Sequence, residues 1–156
     1  MFNILGPAPG GAVLDLYAGT GALGLEALSR GASRAVFVER DASALSALRR
    51  NVRELGFDDR AQVMGADVAT ALRRLGAQHE HFAWVFVDPP YRQDVEAVLG
   101  ELGSNDLLLP CAVVVVEHDC RHRPPGSVSG SVGGLFLADR REYGDNELSF
   151  YRGGRS

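Results

Sequence analysis

The sequence contains no lysine. All 16 basic residues are arginine, set against 20 acidic residues, and the formal net charge is −4. That balance excludes a protein that coats nucleic acid through bulk charge. The arginines fit either a GC-rich genome or bidentate contacts to phosphate and guanine, and composition does not separate the two. Cysteine is nearly absent. Cys111 and Cys120 are too few for a disulfide framework and suit a reducing compartment. No apolar run approaches membrane-spanning length. The start, Met1-Phe2-Asn3-Ile4-Leu5, lacks the charged and apolar stretches of an export signal, so the expected location is cytoplasmic. Internal repeats and long low-complexity segments are missing too. What is present is 156 residues, 46% apolar and 23% charged, a size and balance that favour one domain with a sizeable core.

Apolar, β-rich runs alternate with helical patterns. Strands are expected at Ala12–Tyr17, Arg34–Glu39, Arg60–Met64, Phe82–Val87 and Ala112–Glu117. Helices are expected at Gly21–Arg30, Asp41–Leu55, Val68–Leu75 and Val95–Leu102, with Asp41 and Asp67 at two of the openings and Gly31 and Gly56 as stops. Strands that are apolar on both faces and separated by helices imply a parallel sheet covered on both sides. Right-handed crossovers make it doubly wound. The end of the chain differs. Arg121–Gly134 is rich in Pro, Gly and Ser and reads as a loop. Leu135–Tyr143 and Glu147–Arg152 flank the turn Gly144-Asp145-Asn146 and read as an antiparallel hairpin closing the sheet edge. The fold class is therefore α/β: one doubly wound sheet, mostly parallel, with a C-terminal antiparallel hairpin.

Gly19-Thr20-Gly21-Ala22-Leu23-Gly24 follows the first strand and opens the first helix. Its G-x-G-x-x-G spacing lets a ligand approach the backbone and presents free helix N–H groups. The same glycines also suit a bare strand-to-helix turn. Asp15 lies four residues earlier, inside the strand, where a carboxylate repels pyrophosphate and suits an ammonium group. Glu39 closes the second strand, where it can accept from ribose hydroxyls. Asp67 follows the third, where it can accept from an adenine amino group. Helix capping is the alternative role for both. An adenosine with a cationic amino-acid tail, such as S-adenosylmethionine, satisfies the joint placement.

The stretch VLDLYAGTGALGLEALSRGA resembles motif I of class I methyltransferases, whose sheet is Rossmann-like. Together with VFVDPPY and the closing REYGDNELSFYR, it resembles bacterial RsmD-type enzymes over nearly the whole chain. The resemblance implies S-adenosylmethionine as cofactor, the exocyclic N2 of a guanine in 16S ribosomal RNA as target, the small ribosomal subunit as partner, and a monomer. By motif, Asp15, Gly19 and Gly21 would hold the methionine end. Glu39 would hold the ribose, and Asp67 with the Val68 backbone the adenine. Tyr17, Arg40 and Asp88 are further expected cofactor contacts. The family carries a basic β-hairpin and an RPTxD-like segment before the position of Phe2-Asn3-Ile4-Leu5. Neither is matched here, so a weaker grip on RNA is expected.

Asp88-Pro89-Pro90-Tyr91 ends a buried strand with a charge, two rigid residues and a ring. An exocyclic amino group is a poor nucleophile, because its lone pair is delocalised into the base. Acceptors on its two hydrogens favour the tetrahedral geometry that attack requires. Asp88 supplies one acceptor and the Pro89 carbonyl another, aimed by Pro90. Tyr91 offers a stacking face for an extruded base. Such a displacement needs no metal. The alternative function is a short capped turn, with a DNA adenine-N6 methyltransferase, a nicotinamide-dependent oxidoreductase or a donor-binding module without activity as whole-chain alternatives. His118, Cys120 and His122 alternate, but a fourth zinc ligand is not evident. Cys111, bordering a buried strand, reads as a small apolar filler, and Glu117 ends the fifth strand near the proposed site, with a cap or ion-pair role as the alternative. Arg92, Arg121, Arg123, Arg140 and Arg141 are candidate phosphate contacts or solvated loop charges.

Overall fold

The computed structural model describes residues 10–90, 95–129 and 134–154. Along the chain run β1 (Ala12–Leu16), α1 (Ala22–Ser29), β2 (Arg34–Glu39), α2 (Ala42–Glu54), β3 (Ala61–Gly65) and α3 (Val68–Ala77). They are followed by β4 (Phe82–Val87), α4 (Val95–Ser104), β5 (Leu108–Asp119), β6 (Ser127–Val128), β7 (Gly134–Tyr143) and β8 (Asn146–Gly154). The strands form one sheet in the order β3-β2-β1-β4-β5-β8-β7-β6. The first five pair in parallel and the last three antiparallel.

Side-chain alternation along the strands splits the core into two layers. Leu14, Leu16, Val36, Val38, Val85 and Val87 face α3 and α4, against Leu72, Leu75, Leu99 and Leu102. Val13, Phe37, Trp84 and Phe86 face α1 and α2, against Leu25, Leu28, Leu48 and Val52. Both faces of the central parallel strands β1, β2, β4 and β5 are thereby covered, as their largely apolar sequences require. Asp41 and Asp67 cap α2 and α3, accepting from the N–H groups of Ala44 at 2.8 Å and Thr70 at 2.9 Å. Sheet order reverses between β1 and β4, so their carboxyl ends diverge and leave a crevice.

Three features depart from the sequence expectation. β5 starts at Leu108, ahead of its valine run, through an irregular register opposite β4 between Phe82 and Trp84. Cys111 lies in that stretch with φ 64 and is exposed, so it is not a buried filler. Within the expected loop, Ser127 and Val128 pair with Phe136 and Leu135, so β6 rather than the hairpin forms the sheet edge. The loop is also tied down by its proline carbonyls. Arg140 Nη2 donates to Pro124 O at 2.5 Å and Tyr151 OH to Pro125 O at 2.6 Å.

Candidate active site

The glycine turn is built from below. Leaving β1, Tyr17 takes a left-handed φ of 56, followed by Gly19 at 59 and Gly21 at 90. Gly21 admits no side chain, because a Cβ there would lie 2.3 Å from Leu48 Cδ1. At Gly24 a Cβ would lie 2.4 Å from the Phe37 ring. Asp15, 2% exposed, accepts from the Gly24 N–H at 3.0 Å. Burial pushes the Asp15 carboxyl up to about 7. The Gly24 N–H opposes that rise, and the charges of Asp88 and Glu39 add to it.

Glu39 ties the turn to β2. Its Oε1 accepts from the Gly19 N–H at 2.9 Å, and its Oε2 from the N–H groups of Arg40 at 2.8 Å and Asp41 at 2.9 Å. Asp67 accepts from Thr70 N–H and Thr70 Oγ1, both at 2.9 Å, and these bonds hold its carboxyl below the usual range. The capping role is therefore real for Asp67, while Glu39 is a brace between two strand ends.

A cavity of about 470 Å³ opens over these strand ends. It is bordered by Tyr17 and Gly19 after β1, Glu39 and Arg40 after β2, Asp67 and Val68 after β3, and Asp88 and Pro90 after β4. Burial raises the Tyr17 phenol, and the Arg40 charge opposes this. Three expected site residues, Asp15, Gly21 and Pro89, are not among those that border it. Asp15 and Gly21 lie beneath the turn, one bracing it and the other packed on Leu48. A second cavity, about 380 Å³, lies toward the amino ends of β4 and β5, beside Trp84, Cys111 and Arg152. The carboxyl ends of the parallel strands do not converge there, so their carboxyl edge is the candidate site.

Asp88 is the outlier among these acids. It is exposed, and no hydrogen bond to it is formed among the described residues. Flanking protein still desolvates it and, with the charge of Glu117, raises its carboxyl to about 6. Pro89 is half-buried. Tyr91 and Arg92 lie outside the described residues, as do Phe2-Asn3-Ile4-Leu5.

Glu117 accepts from Asn146 Nδ2 at 3.2 Å. Asn146 was legible only as part of a turn, and this bond depends on the pairing of β5 with β8. His118 is turned inward, sharing a 2.6 Å hydrogen bond with Ser149 Oγ beside Glu147. Among the described residues, no group of three His, Cys, Asp or Glu side chains is arranged to hold a metal ion. Four of the candidate phosphate contacts, Arg121, Arg123, Arg140 and Arg141, are engaged within the protein. Arg121 pairs with Asp119, Arg123 with Glu147 and Glu142, and Arg141 with Asp139. Arg140 donates to Ser149 Oγ.

The family described as conserved hypothetical protein 95 matches residues 1–152. YlbH of Bacillus subtilis (strain 168), a protein proposed to be an rRNA methyltransferase, is 35% identical over 154 residues, 97% of this chain and 82% of its own. Ribosomal RNA small subunit methyltransferase D of Escherichia coli (strain K12) is 36% identical over 127 residues, 80% of this chain but 62% of its own length. A solved structure of a conserved hypothetical protein from Streptococcus pyogenes has a TM-score of 0.88 and 31% identity, over 98% of this chain and 92% of that one. The chain belongs to the conserved hypothetical protein 95 family, that of the RsmD-type methyltransferases.

Proposed function

We propose that this chain transfers a methyl group from S-adenosylmethionine to the exocyclic N2 of a guanine in 16S ribosomal RNA, in the cytoplasmic small ribosomal subunit. The observation that carries this reading is the state of Asp88. It is a carboxylate with no hydrogen-bond partner among the described residues, on the wall of a cavity whose other walls hold Glu39 and Asp67. The names of two relatives, both tied to rRNA methylation, support the choice of substrate.

The cavity volume suits a small molecule. A carboxylate has roughly four lone-pair positions. Three N–H groups occupy Glu39, which leaves one for a ribose hydroxyl. Asp67 accepts once at each oxygen and keeps capacity for an adenine amino group. Asp15 acts on the methionine end through the turn it braces. S-adenosylmethionine supplies an electrophilic methyl carbon on a sulfonium. Asp88 and the Pro89 carbonyl accept from the two amino hydrogens, which moves the nitrogen toward tetrahedral and spreads its developing positive charge. Alignment of that nitrogen with the methyl group supplies the remaining rate. Tyr91 is assigned the stacking face for the extruded base.

The test is to incubate the purified chain and labelled S-adenosylmethionine with small subunits lacking the modification, and in parallel with naked 16S RNA. Label should enter the RNA of the subunits. A chain that neither binds the donor nor labels either substrate would sink the proposal.

A further inference from the structure

Following the sheet order, the carboxyl edge carries Asp67 after β3, Glu39 at the end of β2, Tyr17 after β1, Asp88 after β4 and Glu117 near the end of β5. The first four border the donor cavity and Glu117 does not. Asp88 therefore separates the cavity from Glu117. Val87 pairs with Val116 in the parallel β4–β5 ladder, so the next residues, Asp88 and Glu117, fall side by side on strands about 4.8 Å apart. The influence of Glu117 on the Asp88 carboxyl agrees with that proximity.

Among the described residues, Glu117 is held from one side only. Its Oε1 accepts from Asn146 Nδ2 at 3.2 Å, and Asn146 is fixed by pairing with Asp119 on β5 and Tyr143 on β7. Its Oε2 takes no hydrogen bond among the described residues. Two neighbouring carboxylates with oxygens to spare repel each other, and a ligand donating N–H groups to both relieves that repulsion. The Watson–Crick edge of guanine carries such donors on adjacent atoms, N1–H and the N2 amino group. Adenine sets an N1 lone pair beside its amino group.

We propose that Glu117 is the guanine-determining residue of the site: while Asp88 accepts from an N2 hydrogen, Glu117 Oε2 accepts from N1–H. Adenine is rejected because its N1 lone pair would meet the same carboxylate with no proton between them. This rests on the guanine-N2 reading above and adds the group that selects the base.

The test uses small subunits reconstituted with 16S RNA carrying either guanine or 2,6-diaminopurine at the target position. Diaminopurine keeps the 2-amino group but has no N1–H. Wild type should favour guanine in kcat/KM by roughly 10- to 100-fold, the worth of one hydrogen bond to a charged acceptor. In Glu117→Ala that preference should shrink to about threefold or less, with donor affinity unchanged. A merely structural role would lower transfer to both bases alike and leave the ratio intact, which would overturn the proposal. Glu117→Gln keeps the side-chain shape if the alanine variant fails to fold, and its amide can donate to the diaminopurine N1, so it too should narrow the ratio. Transfer by wild type to neither base would overturn the guanine-N2 reading and this inference together. Transfer to guanine with an unchanged ratio in the variants would overturn this inference alone.

Discussion

On the donor side of the carboxyl edge, each key acid is held by backbone. Glu39 accepts three N–H groups, Asp67 and Asp41 each cap a helix, and Asp15 grips Gly24. On the acceptor side, Asp88 has no hydrogen bond among the described residues, and Glu117 has one, from a side chain. The difference is one of preorganisation. The donor half is made rigid by bonds that exist before any ligand arrives. On the proposed function, the acceptor half keeps oxygens that are unspent among the described residues for a substrate that brings its own N–H groups. On the same proposal, acids of the first kind carry folding and donor affinity together, and acids of the second kind carry transfer alone.

The sharpest way to break this division is Asp88→Ala. Transfer should fall by about 10³-fold or more, which corresponds to about 4 kcal/mol. Donor affinity measured calorimetrically should stay within about threefold, because Asp88 braces nothing among the described residues. Equal loss of both would erase the distinction. Next in size is Gly21→Ala. A side chain at φ 90, directed into Leu48, should cost on the order of 2–4 kcal/mol of stability in chemical denaturation and weaken donor binding as well.

Asp15→Asn probes the buried end of the donor half through pH. The folded chain keeps the Asp15 proton up to about pH 7, whereas the unfolded chain releases it near 3.8. Across that window the folded state binds more protons, so this group makes stability fall as pH rises. Wild type should lose about 2 kcal/mol more than the variant between about pH 5 and pH 8. Parallel denaturation curves for the two proteins across that range would contradict the placement of Asp15. The smallest effect is expected for Asp67→Ala, about 1 kcal/mol from the lost cap of α3, with a severalfold drop in donor affinity.

The two halves also differ in how far they could be read from sequence. The donor half is local. Strand, glycine turn, helix and the capping acids Asp41 and Asp67 follow one another within short spans, so their spacing announces them. Most of the parallel strands were legible for the same reason, since β2, β4 and β5 hold continuous apolar runs. Direction was harder to read. Asp15 turns to Gly24 rather than to the cavity because alternation along β1 aims it at the α1 face beside Phe37 and Phe86. The acceptor half depends on pairing between distant segments. Glu117 meets Asn146, and His118 meets Ser149, only because β8 returns antiparallel to β5. Irregular register and a left-handed residue turn Cys111 outward, and Pro110 just before it is the signal for that break.

The most direct test of the central claim is the identity of the atom that receives the methyl group. Small-subunit RNA labelled by the purified chain would be digested to nucleosides and resolved by mass spectrometry. N2-methylguanosine is the expected labelled product, lost in Asp88→Ala while donor binding persists. Label on a ribose hydroxyl, on a ring carbon or on adenine would contradict it.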